Sequence, residues 1–527
     1  MKLYYNGDIK TMARVNSQPQ ALAVRDGKIL ATGTLDELRP LTDAHTEWID
    51  LQGRTLMPGF FDAHLHLWKV GDLLTFNLDL RGVESIAEIQ DKLLDFSQKN
   101  NHLSWIRARG FNEASLKEGR LPTRHDIDKV IRDKPVFLQR TCAHISCVNS
   151  KALEICGITA ATPAPFGGEI RLDADGTPSG ILCETAQGLA MRHFPVITDA
   201  DYETMILAGC RELMRHGITA VTDPAVMPDL LEVYKKMDRE GRLPMRIHAI
   251  PIMLPDGGDE PLPLPELYAS DRLVINTVKF FADGGLSGQT AALSRPYGRT
   301  VVQSYSRTVA NKGILRLQYA QYLQLAREAQ ERGFQVATHA IGDEAIGFVL
   351  DVYEQLKREN PGAPRHRIEH LGLPNEHHKN QIEDLGVHVV TQPIFLTELG
   401  RNFRQYLDDD FLQQCYPVRS LLDRGINVAF STDAPVVRDL RPLACIAAAI
   451  NRKDADGIEI APREAVTMQE ALYCYTAGSA LANRVFDKVG SLEPGKDAEM
   501  VMLSGAPFEC ADANEVSPVP TGRRSGC

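Results

Sequence analysis

Short apolar runs bounded by turn residues alternate with amphipathic stretches over most of the chain. The first run, Phe61-Asp62-Ala63-His64-Leu65-His66, follows Leu56-Met57-Pro58-Gly59-Phe60. Comparable runs cover residues 217–223, 245–250, 275–281, 334–339, 367–370, 387–392 and 427–433, which makes eight predicted strands. Helical periodicity fills most of the intervals, as at 320–332 and 345–358. Strand and helix alternating in this way predict a (β/α)8 TIM-type barrel, with a doubly wound open sheet as the structural rival.

The two ends carry a different pattern. Residues 3–5, 21–24, 28–32 and 46–50 read as short strands, with Asp26-Gly27 as a hairpin signal. A turn-rich stretch from Gly490 to Asp497 leads into a further strand over 498–503. Together they predict a small β-sandwich-like domain from 1–56 and 488–527, around a barrel spanning 57–487. The interval 67–201 is longer than a barrel connection needs. It reads as a large insertion after the first barrel strand, with its own turns and helices, arching over the barrel mouth. Residues 515–527 read as frayed.

Composition narrows the partners. The chain has 527 residues, 43% hydrophobic and 24% charged, with a formal net charge of -11. That acidic balance without a basic block argues against nucleic acid or an anionic membrane as partner. No apolar run reaches the length of a membrane span, and the first residues are too polar for a secretory signal. Ten cysteines without a C-x-x-C pair read as reduced thiols, so the expected location is cytoplasmic. A small-molecule substrate is the expected partner; a homo-oligomer stays open.

The chemistry concentrates where the apolar runs end. In an extended strand His64 and His66 point to one face, a ready pair of metal ligands. Barrel enzymes place catalytic groups at the C-terminal ends of strands. Those ends carry Lys279, His339, His370 and Asp433 as well. A lysine beside Phe280 and Phe281 is costly unless paired or modified. One such residue could be a satisfied core group; six at matching ends point to a metal site. His248 and His388 read as packing residues, and His377 and His378 as an exposed helix start.

Several motifs extend this pattern: Pro58 to His66, Val278 to Gly284, Thr338 to Asp343, Arg367-Ile368-Glu369-His370 and Ser431 to Pro435. The insertion adds Ala143 to Ser150 and Gly168-Glu169-Ile170. With these the chain resembles the metal-dependent amidohydrolase superfamily, in the branch of the N-substituted formamide deformylases. The resemblance implies two divalent ions: His64, His66 and Asp433 at one, His339 and His370 at the other, and a carboxylated Lys279 bridging them. Zinc suits the ligands, as do iron, manganese and cobalt. The resemblance further implies attack by a metal-bound hydroxide, with Asp433 moving the proton to the leaving nitrogen.

His144 and Asn149 are implied as substrate contacts, with His144 polarising the carbonyl; the other reading of His144 is a surface loop residue. Glu184 could meet a polar end of the substrate or lie in solvent. Asp283 and Asp343 either orient ligands from behind or cap helices. One departure is that the chain beyond Phe508 lacks the pattern of a further closing strand. The implied activity is hydrolysis of a C–N bond in an amide: an N-substituted formamide or similar small N-acyl compound. A deaminase or other hydrolase on the same metal site is the alternative, and a non-catalytic assembly protein ranks below both. Deaminases of this superfamily generally use one metal and no bridging lysine, so Lys279 favours the amide.

Overall fold

The first expected strand forms but is short, Phe60–Asp62. Asp62 Oδ1 accepts the His64 N–H at 3.1 Å and the Asp62 carboxylate also takes the Thr432 N–H, which turns the chain out of the sheet. His64 and His66 therefore lie beyond the strand end rather than on the strand itself. The computed structural model describes residues 1–13, 18–141, 143, 145–165, 168–255, 260–298, 311–505 and 518–519, with the backbone alone for Glu184, Pro518 and Val519.

The other seven strands are Ile218–Val226, Arg246–Pro251, Thr277–Phe281, Gln335–Ala340, Arg367–His370, His388–Thr391 and Val428–Phe430. The first three of the eight pair in parallel in one sheet, which Leu273–Ile275 extends and Tyr268–Ala269 closes in antiparallel register. The remaining five pair in parallel, in chain order, in a second sheet. At one flank Met253 N donates to Lys279 O at 3.0 Å; at the other, Ala63 N donates to Phe430 O at 3.2 Å. Each sheet thus hydrogen-bonds the other at both flanks.

The connecting helices follow their apolar stripes. Tyr319–Glu331 buries Tyr322, Leu325, Ala326 and Ala329, one face at helical spacing. Asp343–Glu359 buries Ile346, Val349, Leu350, Tyr353 and Leu356. Its acidic first turn (Asp343, Glu344) and basic last turn (Lys357, Arg358) complement the helix dipole.

The terminal segments build two four-stranded sheets. One has the order Lys28–Gly33, Ala21–Arg25, Lys2–Tyr5, Glu47–Asp50; the other is Asp8–Ile9, Thr55–Pro58, Met500–Leu503, Pro518–Val519. Tyr4, Leu22, Val24 and Ile29 from the first share a core with Ile9, Leu56 and Met500 from the second. Burying each such side chain is worth ~1.5–3 kcal/mol. Pro518–Val519 pairs with Met502 and Leu503, inside the span expected to fray; residues 515–517 and 520–527 of that span lie outside the described residues.

By contacts the chain divides into two units: Met1–His66, Cys210–Ala434 and Asp439–Cys527 in one, Leu67–Gly209 and Pro435–Arg438 in the other. The second unit runs past the expected insertion end at 201, and it is more than turns and helices. It holds a six-stranded sheet: Gly168–Leu172, Pro178–Glu184, Ile145–Val148, Val136–Arg140, Ile106–Phe111 and Leu78–Asp79. Leu80, Ile89, Leu93, Ile106, Phe111 and Leu138 belong to its buried core. Among the described residues no helix is long and apolar enough to cross a membrane.

Candidate metal centre

Six side chains from the ends of five strands approach one another. Asp433 Oδ1 lies 3.5 Å from His64 Nε2 and 3.4 Å from His66 Nε2. The His370 ring centroid is 4.9 Å from that of His64 and 4.4 Å from that of His339. His64, His370 and Asp433 each offer a ligand atom within 4.8 Å of the others. Lys279 is fully buried, its Nζ 4.8 Å from the Phe281 ring centroid and without a hydrogen-bond partner. Two of the positions are strained: His370 has φ 74° and Asp433 φ 57°, left-handed conformations costly for residues with a Cβ.

Electrostatics suit a cation. Burial, then the Lys279 charge, pushes the His64 imidazole down and brings His339 to about 3; burial and the neighbouring imidazoles lower His370 well below its ordinary value. Neutral imidazole is the form that binds metal. Burial alone would raise the Asp433 carboxyl, but the hydrogen bond from the His66 ring and the neighbouring His64 and His370 imidazoles hold it below the usual range, so it is ionised. Burial draws Lys279 down to about 8 against the pull of Glu369 and Asp433. Ligands arranged tetrahedrally at ~2.0–2.1 Å from an ion stand about 3.3 Å apart, close to the two Asp433–imidazole distances. An orphaned buried amine, an ionised carboxylate and neutral imidazoles at ligand spacing fit a divalent metal.

A second layer of side chains orients these groups. His64 Nδ1 contacts Glu369 Oε2, and the same oxygen accepts from Arg367 Nη2 at 3.0 Å. Arg367 also donates to Asn483 Oδ1 at 2.9 Å and to Ala63 O at 2.8 Å. His370 Nδ1 meets Gln392 Oε1 at 2.7 Å, and Gln392 Nε2 donates to Ser431 Oγ at 2.8 Å. Asp283 accepts the N–H groups of Ile341, Gly342 and Ala292 and lies 3.3 Å from His339 Nε2. Asp62 also accepts from the Thr432 and Tyr475 hydroxyls, at 2.8 and 3.1 Å. Burial raises both Asp62 and Asp283 to about 7 despite these donors.

Glu369, Arg367, Gln392 and Asp62 escaped the sequence reading. The signal was present for Glu369: a carboxylate inside an apolar strand carries the same burial cost that singled out Lys279.

Other expected residues behave differently. The Asp343 carboxylate accepts from Ser294 N at 2.9 Å and from the Ser294 hydroxyl, tying down a loop instead of backing a metal ligand. Asn149 is fully buried; its oxygen accepts from Val136 and Ala152 N–H, and its amide donates to the Ile131 and Lys134 carbonyls. Those four bonds use its hydrogen-bonding groups within the insertion, so it has a structural place and not the substrate contact expected. His144 lies outside the described residues. Glu184 ends the strand Pro178–Glu184. His378 is buried, not exposed, because it sits in the capping box of the helix Glu376–Leu385 with Asn375. Of the aromatics near the motifs, Phe281 and Phe395 contact site imidazoles. Phe60 packs on Tyr475, Phe280 on Tyr322 and Trp68 on Tyr202.

A model of the Amidohydrolase family matches residues 47–520. An N-substituted formamide deformylase of Arthrobacter pascens is 29% identical over 517 residues, 96% of this chain and 94% of that protein. An uncharacterized metal-dependent hydrolase from Pyrococcus horikoshii, a solved structure, has a TM-score of 0.79 at 27% identity, covering 97% of this chain and 99% of its own. A second, from Pyrococcus furiosus, has a TM-score of 0.76 at 29% identity, with 96% and 100% covered.

Proposed function

This chain belongs to the amidohydrolase family and is a metal-dependent hydrolase of C–N bonds other than peptide bonds, and on that premise we propose that it cleaves a small amide, an N-substituted formamide or a comparable N-acyl compound. Lys279 carries the reading. A fully buried amine with no hydrogen-bond partner, among ligand-type side chains, is expensive as an ammonium. As a carbamate it is an oxygen ligand. Its neutral nitrogen would bond to the carbon of carbon dioxide and release one proton, and the product anion would offer oxygen ligands to the metal.

In this reading His64, His66 and Asp433 would hold one divalent ion and His339 and His370 a second, zinc suiting the donor set. Bound ions supply Lewis-acid polarisation of the carbonyl and acidify water at neutral pH. The chain's own residues do the rest. Asp433, ionised, accepts the proton from the attacking water and returns it to the departing nitrogen. Glu369 and Gln392 hold the Nδ1 edges of His64 and His370, which leaves Nε2 of each ring free to face the site. Phe281 and Phe395 offer apolar surface for a nitrogen substituent. The hydrogen bonds at both sheet flanks support eight strands closed as a barrel over 57–487, with the terminal sheets of 1–56 and 488–527 as its small domain.

The test is metal analysis of the purified protein joined to an assay of N-benzylformamide, N-acyl amino acids, lactones and aminopurines. Two ions per chain and preference for the neutral amide are expected. Ammonia release from an aminopurine, with one ion bound, would replace the amide reading with a deaminase.

A further inference from the structure

Tyr416 occupies a costly position that packing does not account for. Its φ is 48°, a left-handed conformation worth about 1–3 kcal/mol of strain for a residue with a side chain. The turn is held by Arg452, fully buried, which donates to Tyr416 O at 3.1 Å, Cys415 O at 2.7 Å and Ile460 O at 3.0 Å. A fourth hydrogen bond runs from Tyr416 N to Gly372 O at 2.8 Å, two residues beyond the candidate ligand His370. The result seats the phenol ring edge-on to Phe395, 6.0 Å between centroids, and stacked on Phe403 at 5.9 Å. Phe395 in turn lies parallel to the His370 imidazole, 12° between planes.

A phenylalanine would make the same ring contacts. What tyrosine adds is a hydroxyl, and no described residue hydrogen-bonds it. A buried tyrosine hydroxyl ordinarily finds a partner. Burial, with the nearby carboxylates of Asp433 and Asp283, keeps the phenol protonated. A protonated hydroxyl has a hydrogen to give.

We propose that Tyr416 is a catalytic residue whose hydroxyl donates a hydrogen bond to the substrate carbonyl oxygen as negative charge develops on it. The assignment rests on the amide-hydrolase reading above. Water oxygen bonds to the carbonyl carbon and loses its proton to Asp433, while the C=O π pair moves onto the oxygen that Tyr416 bonds. When the pair returns, the C–N bond breaks and nitrogen leaves with the proton from Asp433. Tyr416 transfers no proton; it stabilises the charged oxygen, which is weaker as an acceptor in the ground state.

Tyr416→Phe retains the ring and removes the donor, and is compared with wild type in metal-loaded form. Metal per chain and melting temperature are expected to stay unchanged. On N-benzylformamide kcat falls by ~100-fold with KM moved far less, the loss typical of one oxyanion donor. Titration calorimetry with methylphosphonate, a tetrahedral anion, is expected to show Kd raised by at least about 10-fold. Equal kcat and Kd, loss of metal or stability, or a wild type that does not bind methylphosphonate would each overturn the assignment. A wild type that binds methylphosphonate but leaves N-benzylformamide intact rejects that substrate, and the calorimetric comparison then decides Tyr416 by itself.

Discussion

His64 Nδ1 and the Glu369 carboxylate share a buried hydrogen bond that links the segment after the first strand to the sixth strand. The contact fixes which imidazole nitrogen faces Asp433. Because Arg367 is ion-paired to the same carboxylate and bonded to Ala63 O, the position of His64 is set from two directions.

Glu369→Gln keeps the shape and removes the charge. Metal affinity, measured by competition with a chelator, is expected to fall by ~10–100-fold, the usual effect of losing a partner behind a metal-bound histidine. Glu369→Ala should cost more, roughly 3–5 kcal/mol of stability, because it strands the buried Arg367 guanidinium. An unchanged chelator titration for Glu369→Gln would take the carboxylate out of the metal site.

Lys279→Ala removes the proposed bridge without introducing a charge. Elemental analysis should show fewer ions per chain than in wild type, with turnover nearly abolished. One ion in both proteins would favour a single-metal enzyme.

Asp433→Asn keeps an oxygen able to coordinate weakly but unable to take a proton. Turnover is expected to drop by on the order of 100-fold or more. Wild-type rates in the variant would exclude Asp433 from proton transfer.

Asp126 in the insertion supplies a pH test away from the metals. Its burial works to raise the carboxyl, but bonds from Arg120 and Thr123 outweigh it and bring it down to about 2 from 3.8. A depressed folded-state value means stability present above about 4 and lost as pH falls toward about 2. Discounting for the half-exposed Arg120, the term is on the order of 1 kcal/mol. The difference in unfolding free energy between wild type and Asp126→Asn should therefore shrink between pH 4 and pH 2. A gap independent of pH in that window would show that the charge of Asp126 contributes nothing.

How much of this was legible depends on what each residue does. Apolar runs located all eight central strands, because a strand buried on both faces must be apolar throughout. Polar residues interrupting those runs exposed Lys279, His339, His370 and Asp433. Glu369 carries a burial cost like that of Lys279, but its partner His64 lies 305 residues away in sequence, and only the fold brings the two together. Asn149 misled for a related reason. An asparagine before a helix caps it by local geometry, and a motif match says nothing about whether its amide is already used. Tyr416 had no local signal: its meaning depends on a backbone angle and on Arg452, neither of which periodicity reveals. The insertion's sheet was missed although Ile106–Phe111 alternates buried and half-buried positions, because its strands lie outside the strand-helix alternation that marks the barrel.

Thr55–Pro58, the strand just before Phe60–Asp62, has Met500–Leu503 as an antiparallel neighbour, and His64 O accepts the Asp433 N–H. The beginning of the metal centre is thus braced by the last third of the chain. On a ribosome adding roughly 5–20 residues per second, His64 and His66 emerge tens of seconds before Asp433 exists. Through that interval the proposed ligand set lacks its carboxylate, so it is complete only once the last third of the chain has been made.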